Sequence, residues 1–341
     1  MSLRVGIVGC GLIGSRRAGT AVAAGDEVAL VADLVPERAR AVAGATGARV
    51  AGSWQELVAA PDIDAVVVAT INSTLAEVSA AALAAGKHVL CEKPFGVSAE
   101  EAGGLLAAAG EAGTVVKVGF TLRHHEAIQR AHELVLDGDI GTPVGVRAAY
   151  GHGGRPGYEN EWRGDPALAG GGELLDQGVH LLDLARWFLG DFAEVSGHVA
   201  TWGWPVEPLE DNAFMLLRTE DGRVASLHTS WTQWRNLFRF EILGTQGMLT
   251  VEGLGGSYGP ERLVRARRRP GGGVPELSEW AVTDPERAWE AEWADFAGAI
   301  AAGTPALTTA LDGYEVARLV DAVYASARES TAVSLTGAVS S

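Results

Sequence analysis

Between residues 3 and 120, short apolar runs rich in valine alternate with alanine-rich stretches of helical period. That alternation is the pattern of a parallel sheet joined by crossover helices. The apolar runs predict strands at Arg4 to Val8, Val28 to Ala32, near Val50, Ala65 to Ala69, His88 to Cys91 and Val115 to Gly119. Helices fit between them at Leu12 to Ala24, Pro36 to Thr46, Trp54 to Ala59, Thr74 to Ala85 and Ala99 to Ala112. Pro36 suits a first helical turn, and Ser98 with Glu101 reads as a capping box. Beyond Phe120 a further helix, His125 to Leu136, leads into a different pattern. Segments 143–150, 194–204, 211–219, 223–232, 236–243 and 248–252 alternate with period two, as in a mostly antiparallel open sheet. The stretch from Arg262 to Arg269 reads as a solvated edge hairpin, Pro285 to Ala302 and Ala310 to Ala327 as helices, and Ser330 onward as a polar tail. The expected architecture is α/β: a first domain over 1–122 and a second over 123–341 with the large sheet, with room for a C-terminal helix to pack back on the first.

One stretch breaks the surrounding pattern. Gly170-Gly171-Gly172 is followed by Glu173 to Leu189, which reads as a single helix closed by Gly190. At about 100° per residue, Asp176, His180, Asp183 and Trp187 fall within about 60° of one another, while leucine, valine, alanine and phenylalanine cover most of the remaining circumference. A helix apolar nearly all round is buried, and buried polar groups need partners or a ligand. The stripe is therefore either a satisfied core histidine with carboxylates a turn away or one wall of a site.

Composition narrows the partners. Hydrophobic residues make up 47% and charged residues 21% of 341, ordinary for a globular chain long enough for two domains. A formal charge of −16 argues against nucleic acid or an anionic membrane as partner and suits a small neutral ligand. Cys10 and Cys91 are the two cysteines, with no metal-ligand spacing, so neither a disulfide framework nor a metal site is expected. That cysteine usage points to the cytoplasm, and neither a signal peptide nor a membrane-length apolar run is visible. Only Lys87, Lys93 and Lys117 among the 27 basic residues are lysines, so a lysine in a chemically suggestive place is informative.

Gly9-Cys10-Gly11-Leu12-Ile13-Gly14 has the dinucleotide spacing. With 45 glycines the bare spacing is weak, and its context strengthens it: it follows the first strand, opens a helix, and is answered by Asp33 at the end of the second strand. Gly9, Gly11 and Gly14, with Leu12 and Ile13 between them, would let the backbone approach a pyrophosphate at the helix N-terminus while Asp33 binds ribose hydroxyls. Asp33 favours NAD over NADP by repelling a 2′-phosphate; Arg16, Arg17 and Arg38 pull the other way. Thr70 and Asn72 after the fourth strand, and Glu92 and Lys93 after the fifth, fall on the same carboxyl edge of the sheet and are assigned to the cofactor, the alternative for Glu92-Lys93-Pro94 being a strand exit with a surface ion pair and a proline stop. The loop His152 to Arg163 is rich in groups that stack on or hydrogen-bond to a sugar; His152, Tyr158 and Trp162 are substrate candidates there, the alternative being an ordinary surface loop. Arg123 after the sixth strand is a further substrate candidate, whereas His88, His124 and His125 read as structural.

Taken together, the N-terminal glycine turn, Glu92-Lys93-Pro94, Gly138-Asp-Ile-Gly141 and Gly171-Gly172-x-Leu174-x-Asp176-x-Gly178-x-His180 resemble the glucose–fructose oxidoreductase and inositol dehydrogenase (Gfo/Idh/MocA) family over residues 3 to 250. Two positions depart from its pattern: Ile71 stands where the family often has proline, and Leu75 where it often has histidine. The resemblance implies a Rossmann domain joined to an α/β domain whose open sheet builds a homodimer or homotetramer, and NAD-dependent oxidation of a ring hydroxyl of a sugar or cyclitol. It also implies that Lys93, Asp176 and His180 are the catalytic set and contact the substrate. On that reading His180 is the general base, Asp176 orients it, and Lys93 stabilises charge on the oxygen. Two rivals share the scaffold: a redox-assisted sugar lyase or glycosidase that returns its hydride, and a dinucleotide-binding sensor without catalysis.

Overall fold

The computed structural model describes residues 2–335, so the far end of the expected polar tail lies outside the described residues. The chain forms two compact units. The first takes the chain up to Thr121 together with Ala167–Gly170 and Trp289–Ala317; the second takes Leu122–Pro166, Gly171–Ala288 and the chain from Arg318 onward.

In the first unit, β1 (Arg4–Val8), β2 (Glu27–Ala32), β3 (Arg49–Val50), β4 (Ala65–Val68), β5 (His88–Cys91) and β6 (Val116–Val118) make an all-parallel sheet in the order β3-β2-β1-β4-β5-β6. The connecting helices are α1 (Leu12–Ala23), α2 (Pro36–Thr46), α3 (Trp54–Ala59), α4 (Asn72–Ala84) and α5 (Ala99–Ala112). This is the doubly wound Rossmann order, in which the chain reverses direction across the sheet between β1 and β4 and leaves a crevice at the carboxyl ends of those strands. The strands are apolar without alternation because both faces are covered: Val5, Ile7, Val31, Val67 and Leu90 are fully buried, and Trp293 and Phe296 join the same core. Ser98 caps α5 by accepting from the Glu101 N–H, while Glu101 accepts from the Val97 N–H.

The second unit contains α6 (Glu126–Leu136), β7 (Pro143–Gly151), α7 (Pro166–Ala169), a π-helical turn over Leu174–Gly178, α8 (Val179–Leu189), β8 (Phe192–Ala200), β9 (Asn212–Thr219), β10 (Val224–Ser230), β11 (Leu237–Gly244), β12 (Gly247–Glu252), β13 (Arg262–Arg267), β14 (Glu276–Ala281) and β15 (Val333–Ser334); of α7, only Pro166 belongs to it. The strands form a nine-stranded sheet ordered β14-β13-β12-β11-β7-β10-β9-β8-β15, antiparallel except between β7 and β10. Its alternation is clean on β9, where Ala213, Met215 and Leu217 point inward and Phe214, Leu216 and Arg218 outward. Helices α6 and α8 cover the inward face. The polar tail supplies a strand, since β15 pairs with β8 through Val333 and Ser334. Near the end of the chain, α9 (Arg287–Ala302) is followed by α10 (Ala310–Glu329).

The glycine turn after β1 tolerates no side chain at two of its positions. Gly9 sits at φ +90°, where a Cβ would lie 2.4 Å from the Ala69 carbonyl oxygen, and a Cβ on Gly14 would lie 1.8 Å from the Gly9 carbonyl oxygen. Gly14→Ala should therefore cost about 3 kcal/mol or more, the upper end for overpacking against unyielding backbone. The expected outcome is a lower Tm together with loss of NADH binding, read by the fluorescence of the bound dinucleotide; wild-type values for both would contradict the steric account.

Candidate functional site

The β1–α1 turn is arranged to receive an anion. Helix α1 starts at Gly11 without a side-chain cap and without an acidic residue in its first turn, so its N–H groups are left to a ligand. A Cβ on Gly11 would meet no atom within 4 Å, so the backbone there is open to close approach. Asp33 accepts from the Cys10 N–H at 2.7 Å and from the Val35 N–H at 2.7 Å, which fixes its carboxylate at the end of β2 beside the glycine turn. Leu12 and Leu34 flank this place and are 83% and 94% exposed. An uncapped helix start, a glycine-only turn and a fixed carboxylate fit a dinucleotide: the α1 N-terminus would hold the pyrophosphate and Asp33 the ribose hydroxyls. Both thiols are inert, burial being the main cause that pushes Cys10 and Cys91 up to about 12.

The other residues expected at this edge follow the fourth and fifth strands. Thr70 is half-buried at the end of β4, its hydroxyl 3.3 Å from the Ile71 carbonyl. Asn72 is buried and donates to the Ala169 carbonyl oxygen at 2.9 Å. The Glu92 carboxylate turns inward to Arg17, 2.8 Å from its Nε. Arg17 is fully buried, which removes it as a counterion for a 2′-phosphate. Lys93, half-buried, follows Glu92 at the exit of β5 and precedes a cis peptide to Pro94.

In the second unit, the expected single helix is a π-helical turn, Leu174–Gly178, running into α8. The start of the wide turn is held from outside. Glu210 accepts from the Gly172 N–H at 3.3 Å and the Leu174 N–H at 3.0 Å, its backbone carbonyl takes the Glu173 N–H at 2.9 Å, and the Tyr324 hydroxyl donates to it at 2.9 Å. Burial raises the Glu210 carboxyl above its ordinary range, and these donors pull it down. Glycine is required at 172, where a Cβ would lie 2.0 Å from the Glu210 carbonyl oxygen.

The turn presents Asp176 and α8 presents His180, 6% and 8% exposed. Loop 152–166 folds over this place. Arg155 forms a two-point pair with Glu161 at 2.8 and 2.7 Å and lies over the Tyr158 ring, while the Tyr158 ring packs edge-on to Trp231 at 4.9 Å. Arg163, stacked on Trp162 at 4.4 Å, brings its Nε to 3.0 Å from Asp176. His152 accepts from the Gly154 N–H and packs edge-on to Tyr158. From β7, Tyr150 sets its ring edge-on to His180 at 6.3 Å and hydrogen-bonds Tyr258. Fully buried Glu173 accepts from the Thr229 hydroxyl at 2.5 Å. Burial raises all three phenols, helped by Tyr258 and then Glu173 at Tyr150, by Asp176 at Tyr158 and by Glu173 at Tyr258: Tyr150 and Tyr158 stand well above the ordinary value and Tyr258 is pushed up to about 12. Each is therefore a hydrogen-bond donor at neutral pH and not a base.

Asp176, His180, His152, Tyr158 and Trp162 are thus gathered in one unit, and Arg163, Glu173, Tyr150 and Tyr258 join them. Arg163 was within reach of sequence reasoning, adjoining Trp162 in an aromatic loop. Tyr150 and Tyr258 were not, because nothing local marks a tyrosine at a strand end or in a glycine-rich loop as neighbour to a histidine. Arg123, expected at the substrate, is engaged inside the second unit. It is buried, grips Asp183 at 2.9 and 2.6 Å, and lies over the Trp187 ring at 5.2 Å. Asp183 and Trp187 are accordingly its partners, further along the stripe that carries His180. His125 is structural, its Nδ1 2.6 Å from Glu261, and His88 accepts from the Val115 N–H. Among the described residues no helix is long and apolar enough to cross a membrane, and no group of three or more His, Cys, Asp or Glu could hold a metal ion.

The Rossmann order and its glycine turn define a dinucleotide-binding fold, joined in one chain to a large open sheet, and the family and relatives that the chain matches make it an NAD-binding oxidoreductase acting on CH–OH groups. The comparisons give its kinship. Residues 3–120 match the profile of the oxidoreductase family with an NAD-binding Rossmann fold, and residues 128–250 match the GFO/IDH/MocA C-terminal domain. The chain belongs to the Gfo/Idh/MocA family. It is 35% identical over 252 residues to the 1,5-anhydro-D-fructose reductase of Ensifer adhaerens, covering 72% of this chain and 74% of that one. The inositol 2-dehydrogenase of Klebsiella pneumoniae (strain 342) is 29% identical, with 94% and 93% covered. Among solved structures, levoglucosan dehydrogenase in complex with NADH and levoglucosan superposes with a TM-score of 0.90 at 26% identity, over 99% of this chain and all of that one.

The Arg123–Asp183 pair gives a test that separates packing from chemistry. Arg123→Met leaves a buried carboxylate without its cation and should cost about 3–5 kcal/mol. Thermal unfolding should show the loss, while the KM for substrate of whatever folded fraction remains should stay near wild type. A raised KM with unchanged Tm would return Arg123 to the substrate.

Proposed function

We propose that this protein oxidises a secondary hydroxyl of a sugar, an anhydro-sugar or a cyclitol to the ketone, with NAD as acceptor and His180 as the base. The supporting observation is the company His180 keeps. Tyr150, Tyr158 and Tyr258 are held as phenols, and Asp176 is paired with Arg163. Of the groups gathered there, histidine is the residue type that ordinarily titrates near neutrality and can take a hydroxyl proton. The reaction R₂CHOH + NAD⁺ → R₂C=O + NADH + H⁺ leaves that proton to be removed. NAD supplies the hydride acceptor. His180 holds the proton on its imidazole, Asp176 sets the orientation of the base, and Lys93 is assigned to the negative charge that grows on the oxygen. The loop groups Tyr158, Trp162 and His152 offer donors and flat apolar faces, which suits a ring with hydroxyls on its edges. Relatives named for anhydrofructose, levoglucosan and inositol support that substrate class.

His180→Ala should lower kcat by about two to four orders of magnitude with little change in NADH affinity. The measurement is NADH formation over a panel of sugars, anhydro-sugars and inositols at saturating NAD. Wild-type turnover in the variant would remove His180 as base, and sugar cleavage without stoichiometric NADH would replace the dehydrogenase with a redox-assisted lyase.

The same reading includes a homo-oligomer built on the outer face of the nine-stranded sheet. Leu216 and Trp202 there are 53% and 67% exposed, and Phe214 stacks on His228 at 4.0 Å. Apolar groups at this density on an otherwise charged sheet face suit a second copy. Leu216→Glu with Phe214→Asp should convert the oligomer to monomer in light scattering; a wild-type chain that is already monomeric overturns the reading.

A further inference from the structure

The first unit buries a charged cluster that the reaction, as described, does not use. Arg17 on α1 is fully buried between two carboxylates. Its Nε and Nη2 lie 2.8 and 2.7 Å from Glu92 Oε1, and its Nη1 lies 2.5 Å from Glu292 Oε2. The Thr121 hydroxyl donates to the same Glu292 oxygen at 2.7 Å, and the Trp289 ring covers the guanidinium at 4.5 Å. The Glu92 seat is closed from its other side by Gly119, where a Cβ would lie 2.7 Å from Glu92 Oε2.

One cation facing two carboxylates is a costly arrangement to bury. Apolar residues of similar volume are often neutral or stabilising in place of buried ion pairs, so stability alone does not account for this cluster. Its placement does. Glu92 is bonded in the chain to Lys93, and Arg17 belongs to the helix whose open N-terminus suits the dinucleotide. We propose that the Arg17–Glu92 pair is a positioning device for Lys93: by locking the Glu92 carboxylate to α1, it fixes the backbone at the exit of β5 and so the direction in which the next side chain leaves. The inference rests on the reading of Lys93 as the group that stabilises charge on the substrate oxygen.

The lysine content of the chain supplies a readout that does not depend on turnover. Lys87 is buried and donates to the Ala60 and Ile63 carbonyls at 2.8 and 2.7 Å, and Lys117 is buried between Asp295 and Thr308 at 2.7 and 2.9 Å. Lys93 is the remaining one of three. Amidination of the folded protein with methyl acetimidate, followed by peptide mapping, therefore reports Lys93 directly. Glu92→Gln should label at Lys93 about tenfold faster than wild type and lose about 10–100-fold in kcat, with the KM for substrate little changed, the size expected when a reacting group drifts by about an ångström. Arg17→Lys, which keeps the charge but not the two-point grip, should move both readings the same way and serves if Glu92→Gln does not fold. Asp295→Asn, which breaks the Lys117 pair elsewhere in this unit, is the control for mere destabilisation and should leave Lys93 labelling and kcat at wild-type values. If Glu92→Gln and Asp295→Asn lose labelling protection and kcat alike, in proportion to Tm, the pair is only structural. If Lys93 labelling responds to Glu92→Gln while Lys93→Ala turns over normally, the pair positions Lys93 but the catalytic reading of that lysine fails.

Discussion

The arrangement of Asp176 and His180 depends on how one glutamate meets the start of a helix. The first N–H groups of any helix have no carbonyl within the helix to bond, and inside a protein they cannot be left to water. Here they open a π-helical turn that no local side chain caps, and Glu210, 34 positions after Asp176, reaches them with its carboxylate and its backbone carbonyl while Tyr324 steadies it. A negative group at a positive helix end is favourable in itself. The contact also fixes where the turn starts, which determines the height and direction at which the acid and the histidine emerge.

A second constraint appears once in each unit. Arg17 in the first and Arg123 in the second are arginines with almost no exposure, Arg17 held between the carboxylates of Glu92 and Glu292 and Arg123 by both oxygens of Asp183, and each is covered by an indole. Arginine suits this role because its planar donors satisfy two oxygens at once and its flat face tolerates an apolar cover. Both arginines come from positions where the chain has just left or entered a strand–helix connection, so each ties a connection to an element far away in sequence. The outcome is an internal tie instead of a charge on the surface.

Much of the fold was legible because its causes are local. Valine-rich runs, a capping serine at Ser98 and a proline at the start of α2 act within a few residues of themselves, and the first unit's sheet follows from them. The glycine turn was legible because sterics leave no alternative to glycine at positions 9 and 14. What escaped depends on contacts across long stretches of chain. An unbroken helix is expected at Glu173 to Leu189 because its periodicity carries no mark of the π-helical turn, and nothing local announces that Glu210 meets its start. The Arg123–Asp183 pair was hidden since an arginine after a strand edge looks the same whether or not an aspartate 60 residues later is waiting for it. The inward turn of Glu92 was hidden for the same reason, its partners being 75 residues earlier and, through Arg17, 200 residues later.

A π-helical turn differs from an α-helical one by a single inserted residue. The spacing between Asp176, inside the wide turn, and His180, just past it, is consequently a property of chain length as well as of composition. Losing one residue from Leu174–Gly178 would allow the segment to close as ordinary α-helix and would swing everything before it by about 100° around the axis relative to α8. Substituting side chains leaves that angle untouched. Divergence in this segment can therefore exchange half-buried Gln177 for other residues, whereas insertions and deletions, tolerated in most loops, would rotate Asp176 away from His180.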